Sequence, residues 1–282
     1  DGLKIYTTID SRLQQYAEEA VAEKMKMLQK RFDNLWGDKN PWRDSKGNEI
    51  VNFIQKAEQR LPIYKLLKKK YNGDTTLINA YFEKPKRMKV FTWKGEKDTT
   101  FSSIDSIKYY AGILNTGMMT IEPSSGKIKV WVGGIDHKYF NYDHVNQSKR
   151  QAGSTFKPFA YAEALTKGYT PETVVFDVPT QFSTACDPSN FTSEGDCYSP
   201  GNYDDQFRGP MTLRNALAQS INIPAVKTLY LAGIPDTIRL AKSMGVTSLT
   251  NANRYGLTLV LGGGEVSPLE MTNAYGTFAN NG

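Results

Sequence analysis

Arg150-Gln-Ala-Gly-Ser154-Thr-Phe-Lys157-Pro-Phe159 sets a serine hydroxyl and a lysine amine three residues apart, ahead of an apolar run through Ala160, Ala162, Ala164 and Leu165. On a helix that spacing is close to one turn, so the two side chains share a face. Serine is a weak nucleophile until a neighbour takes its proton, and a lysine amine among apolar groups loses enough basicity to take it. Gly168 ends the run, so a buried helix is expected with Ser154 near its positive end. Pro158 biases Lys157 away from helical angles but removes at most about one backbone bond within a first turn, which predicts a slightly irregular start.

The S-x-x-K pattern occurs twice. Its second instance, Ser124-Ser-Gly-Lys127, lies between the apolar runs Met118–Ile121 and Ile128–Val132, where Pro123 and Gly126 mark a hairpin turn. It reads as a solvated loop.

A second cluster runs from Asn202 to Val226 and contains Thr212, Ser220, Asn222 and Pro224. Thr212 suits the cap of a helix carrying Leu213, Ala216 and Leu217 on one face, and Pro224 suits the first turn of the next helix. Ser220 and Asn222 then occupy a helix-to-helix corner. Two residues apart there, they read either as a helix cap or as a hydroxyl and an amide pointing into one cleft.

Elsewhere the patterning is that of a globular α+β protein, with 39% hydrophobic and 23% charged residues and no apolar run near the ~18–20 residues needed to cross a bilayer. The formal charge of +6 suits anionic lipid, cell-wall polymer or nucleic acid. The basic runs Lys68–Lys70 and Lys84–Lys89 match no nucleic-acid fold signature, and a solvated face is the simpler reading, so no nucleic-acid partner is expected. With two histidines, His137 and His144, and no ligand spacing, neither a metal nor a cofactor is expected. Cys186 and Cys197, 11 apart in a polar loop, read as a disulfide in an oxidising compartment or as two free thiols.

Asp10 or Ser11 caps a long amphipathic helix with apolar face Leu13, Ala17, Ala20, Val21, Met25, Leu28 and Phe32. Residues 33–105 mix short helices, such as Ile54–Leu67 broken at Pro62, with a β-like run Met88–Trp93. They read as a small α+β linker, a spacer or a docking surface. A helix over Ile104–Leu114 leads to the hairpin, the stretch from about Pro179 to Pro210 shows little regular pattern, and Ser267-Pro-Leu-Glu270 reads as a capping box opening the last helix.

These motifs resemble, together, the transpeptidase region of class A penicillin-binding proteins. The resemblance is carried by Ile5–Gln15, Gly117–Gly126, Val132-Gly-Gly-Ile-Asp136, the Ser154-x-x-Lys157 helix, Phe207–Leu213 before Ser220-x-Asn222, Leu259–Glu270 and Ala274–Asn280; residues 33–105 add no motif. It implies a mostly helical α+β transpeptidase domain with an antiparallel hairpin over 114–282, after a small α+β linker region over 1–113. It also implies a serine acyl-enzyme acting on peptidoglycan stem peptides ending in D-Ala-D-Ala, and covalent inhibition by β-lactam antibiotics. Ser154 would be the nucleophile, Lys157 its base, Ser220 a proton relay and Asn222 a substrate amide contact. Tyr203, 17 residues before Ser220, would line the acyl-peptide groove or simply pack in its loop. The family's Lys-Thr/Ser-Gly triplet is absent, Lys227-Thr228 being followed by Leu229, so a fragment of low activity alone is expected.

By the same resemblance the parent is a periplasmic enzyme anchored in the inner membrane upstream of Asp1, with a glycosyltransferase domain, and cell-wall synthesis proteins are candidate partners of 33–105. Rival readings are a β-lactamase, a non-catalytic β-lactam sensor and a peptidoglycan-binding module. The Ile5–Gln15 segment and the linker go with crosslinking enzymes.

Overall fold

The computed structural model describes residues 2–37, 39–44, 46–182 and 198–282. They divide into two compact units, one of residues 10–118 and 130–144, the other of residues up to Ile9, 119–129 and 145–282.

The first unit is built on α1 (Ser11–Trp36), capped by Asp10, whose carboxylate accepts from the N–H groups of Arg12 and Leu13. Ala17, Val21, Met25 and Gln29 recur every fourth residue and are buried, packed with Val130 and Val132. Gln29 is satisfied there: its amide donates to Gly112 O (2.8 Å) and accepts from Leu114 N–H (2.8 Å). Leu13 and Ala20, expected on this face, are exposed. The helix meets its neighbour at Gln14, which both accepts from and donates to the Trp131 backbone, about 100° around from Leu13.

Next come α2 (Phe53–Arg60), α3 (Pro62–Lys70) and α4 (Thr75–Glu83), the first two separated by Leu61 because Pro62 can open a helix but not continue one. Leu67, Ile78 and Phe82 form their core. β1 (Lys86–Val90) and β2 (Lys97–Phe101) pair antiparallel with Val90 opposite Lys97, and α5 (Ser103–Ala111) opens with a Ser102/Asp105 capping box. The expected hairpin is β3 (Met118–Glu122) and β4 (Lys127–Val132), whose residues 119–129 are counted with the second unit. Ser124 and Lys127 are exposed at its tip, where Gly126 takes a positive φ, in keeping with a loop.

In the second unit the order is β5 (Arg150–Gln151), α6 (Lys157–Thr166), β6 (Val174–Asp177), β7 (Gly209–Thr212), α7 (Leu213–Ala218), α8 (Asn222–Ala232), α9 (Ile234–Ser243), β8 (Glu265–Val266) and α10 (Pro268–Ala279). Helix α8 buries Ile223, Pro224, Ala225, Val226, Thr228, Leu229 and Ala232, so it is apolar nearly all round and central, packed by α6, α9 and β6. The class is the expected mostly helical α+β. A strand hidden at the end of the 179–210 stretch is a finding: Gly209–Thr212 pairs with Val174–Asp177, Asp177 opposite Gly209, across a long sequence separation that no local pattern encodes.

Glu270 fastens the last helix. Besides forming the capping box with Ser267, its carboxylate accepts from Thr247 N–H and Oγ1 (2.9 and 2.7 Å) and from Ser248 N–H and Oγ (2.7 and 2.6 Å). Burial alone would raise this carboxyl, but the donors from Ser248, Ser267 and Thr247 outweigh it and bring it down to about 2. The stabilisation is present above the ordinary carboxyl value of 4.5 and is lost as pH falls through about 2. Glu270→Gln should therefore cost roughly 2 kcal/mol at pH 7. The gap to wild type should narrow in urea denaturation at about pH 3.

Candidate active site

The chain enters the site from β5 through Gly153, whose φ of +60° suits a residue without Cβ. Gly153–Phe156 then form a 3₁₀ turn, and α6 begins only at Lys157. Lys157 itself keeps helical angles (φ −52°, ψ −45°) despite Pro158, and the irregularity lies before it, in the 3₁₀ turn. In that geometry residues three apart eclipse, which sets Ser154 and Lys157 on one side. Ser154 is exposed, whereas Lys157 keeps only 1% of its surface. Its chain neighbours Phe156, Phe159 and Ala160 are buried as well.

The Lys157 amine spends its three donors on the α7–α8 corner: Ser220 O at 2.5 Å, Ser220 Oγ at 3.1 Å and Asn222 Oδ1 at 2.8 Å. Among the described residues no hydrogen bond joins it to Ser154 Oγ. The acceptors are neutral, and desolvation lowers the amine from 10.5 to about 8. About a tenth of the molecules then carry a neutral amine at pH 7, against a few in ten thousand for an ordinary lysine.

The corner has its own logic. Ser220 N–H donates to Leu217 O (2.9 Å) and Ile221 N–H to Ala216 O (3.0 Å), the two bonds of a Schellman motif. Ile221 and Ala216 pack together beneath it. Ser220 holds the left-handed position at φ +55°, where glycine is usual, and this aims its carbonyl and hydroxyl at one amine. Asn222, the first residue of α8, donates Nδ2 to Gly201 O (3.1 Å), which turns its oxygen toward Lys157.

Lys157, Ser220 and Asn222 are thus brought into contact, with Ser154 on the turn leading into Lys157. Tyr203 is 78% exposed, on the segment carrying Gly201 and Asn202. Cys186 and Cys197 lie outside the described residues. No group of three or more His, Cys, Asp or Glu able to hold a metal occurs among the described residues, and none of their helices is long and apolar enough to cross a membrane.

Sequence reasoning passed over three further residues. Asn202 is buried and accepts from the N–H groups of Asn222 and Ile223 (3.2 Å each), and Asp177 is buried behind it. Gly262, at φ +88°, lies so close to Gly153 that a Cβ there would overlap the Gly153 nitrogen and Cα. Only the glycine run Gly262–Gly264 hinted at such a close approach.

Comparison with known proteins adds the following. Residues 37–114 match the family model of the penicillin-binding protein middle domain, and residues 116–282 that of the penicillin-binding protein transpeptidase domain. Penicillin-binding protein 1A of Aquifex aeolicus (strain VF5) is 31% identical over 289 residues, covering 99% of this chain and 37% of the relative. Penicillin-binding protein 2D of Bacillus subtilis (strain 168) is 34% identical over 210 residues, covering 74% of this chain and 28% of the relative. The chain thus spans little more than a third of these relatives at most. The crystal structure of penicillin-binding protein 1A from Haemophilus influenzae superposes with a TM-score of 0.62 at 23% identity, covering 98% of this chain and 42% of that one, which speaks to the fold.

Two outcomes follow from the geometry. The cost of keeping a buried ammonium, roughly 3 kcal/mol, is fully present below about pH 8 and is relieved as pH rises toward 10.5. The stability of wild type relative to Lys157→Met should therefore rise between pH 8 and 10.5, as read by urea midpoints. Gly262→Ala must push Gly153 aside in an already strained left-handed site, and should lower stability by about 2 kcal/mol or more in the same assay.

Proposed function

This chain belongs to the penicillin-binding protein transpeptidase family, and on that premise we propose that it carries out serine acyl transfer on peptidoglycan stem peptides ending in D-Ala-D-Ala. The observation that carries this reading is the buried Lys157 amine, lowered to about 8 and held by Ser220 and Asn222 one turn from an exposed Ser154.

In the proposed sequence neutral Lys157 accepts the Ser154 Oγ proton as Oγ attacks the penultimate carbonyl carbon. The backbone N–H of Ser154 supports the oxyanion, one of the larger contributions to such catalysis. Collapse breaks the amide C–N bond, and the proton passes from the Lys157 ammonium through Ser220 to the departing D-alanine nitrogen, leaving an ester on Ser154. A second amine then forms a crosslink, or water releases a trimmed peptide as a carboxypeptidase would. Asn222 holds the substrate amide, and Tyr203 lines the groove. A β-lactam enters the same step and leaves Ser154 acylated. Residues 114–282 are the proposed catalytic domain and 1–113 the linker. The parent would act in the periplasm, anchored in the inner membrane, with a glycosyltransferase domain and with 33–105 open to other cell-wall synthesis proteins.

Labelling of the intact parent by a fluorescent penicillin tests the assignment. Ser154→Ala should abolish the label, and Lys157→Ala should slow labelling by at least ~100-fold. The wild-type rate should climb with pH up to about 8, as the amine loses its proton. Label persisting on Ser154→Ala would refute the nucleophile.

A further inference from the structure

Helix α8 begins without a side-chain cap from its own N-cap residue, Ile221. The N–H groups of its first two residues, Asn222 and Ile223, are instead received by Asn202 Oδ1, from a segment 20 residues earlier, at 3.2 Å each. That side chain is spent on both sides: Nδ2 donates to Asp177 Oδ1 (2.8 Å) and to Gln206 O (2.7 Å). Asp177 is fully buried at the end of β6, and its other oxygen accepts from Arg208 N–H (3.0 Å). The charged groups near it are Arg208, whose guanidinium lies 3.6 Å away and also pairs with Asp204, and Lys227, whose amine donates to Phe176 O. Among the described residues the Lys157 amine hydrogen-bonds the uncharged Ser220 and Asn222.

We infer that Asp177 and Asn202 are positioning residues for the acylation machinery: a buried carboxylate orients a remote amide cap, which fixes the first turn of α8 and so the oxygen that Asn222 presents to Lys157. This rests on the reading of Lys157 as the base. The argument is one of amide orientation. Asn222 can face the ammonium usefully only with its oxygen, and what decides between oxygen and NH₂ is where the rest of the residue is tied: its backbone N–H to Asn202 and its NH₂ to the adjacent Gly201 carbonyl. Asn202 in turn has one orientation because Asp177 can only accept. Remove the cap, and two orphan N–H groups remain at the head of α8, with the Asn222 amide held beside a desolvated ammonium only through Gly201.

The ammonium then loses an acceptor, which disfavours its charged form and moves its titration to lower pH. A role limited to folding would change stability and leave that titration where it was. In the 282-residue chain, ¹³Cε NMR of labelled lysine should show Lys157 of Asn202→Ala titrating below wild type. In the intact parent, fluorescent-penicillin acylation should slow ~10-fold or more in Asn202→Asp, where two carboxylates face each other. The swapped pair Asp177→Asn with Asn202→Asp restores one donor and one acceptor between them, and should recover to within about threefold of wild type. An unchanged Lys157 titration in Asn202→Ala, or a swapped pair no faster than Asn202→Asp alone, overturns the inference. Should wild type prove not to acylate at Ser154, the functional reading falls, while the NMR titration still decides this one.

Discussion

A primary amine with 1% of its surface left to solvent is the constraint around which the second unit is arranged. Holding it there costs roughly 3 kcal/mol while it is protonated, a sizeable part of the 5–15 kcal/mol that keeps a domain folded. What offsets the cost is the packing of α6 on α8, whose Phe159, Ala160, Val226 and Leu229 are all at or near zero exposure. The three acceptors at the α7–α8 corner satisfy the ammonium without neutralising it. A carboxylate in their place would have raised the amine's basicity; with uncharged acceptors, burial is left to bring it down to about 8.

Rigidity reaches the serine from the other direction. Strand β8 pairs with β5, Arg150 opposite Val266, and β5 runs through Ala152 and Gly153 into the turn that carries Ser154. Directly after β8 comes Ser267, bound to Glu270, which is bound in turn to Thr247 and Ser248. Gly262 closes the arrangement by backbone contact with Gly153. Ser154, the proposed nucleophile, thus stands on an exposed turn whose flanks are tied by a low-titrating carboxylate on one side and by interlocked backbone on the other.

The parts legible in the sequence are those coded within a few residues. Ser154-x-x-Lys157, the Thr212 cap, the Ser267/Glu270 box, the break at Pro62 and the Met118–Val132 hairpin all rest on local spacing, and each is present as an element. What local spacing could not supply is partnership over distance. Asp177 and Asn202 are 25 residues apart, and neither belongs to a motif that local periodicity reveals. β7 was hidden because Gly209-Pro210 reads as a turn until β6 is beside it. Leu13 lies on the apolar face that periodicity gives but is exposed, because burial depends on how far the partner extends. Ser220 reads as a corner residue, yet its left-handed backbone, the reason its carbonyl also reaches Lys157, has no signature when glycine is not the residue used.

Position 220 therefore sets backbone ease against a side-chain contact. A glycine at position 220 would release about 1 kcal/mol of backbone strain and keep the Schellman turn intact, yet it would delete the hydroxyl that touches the lysine. The serine thus keeps its hydroxyl on Lys157 at the expense of backbone strain.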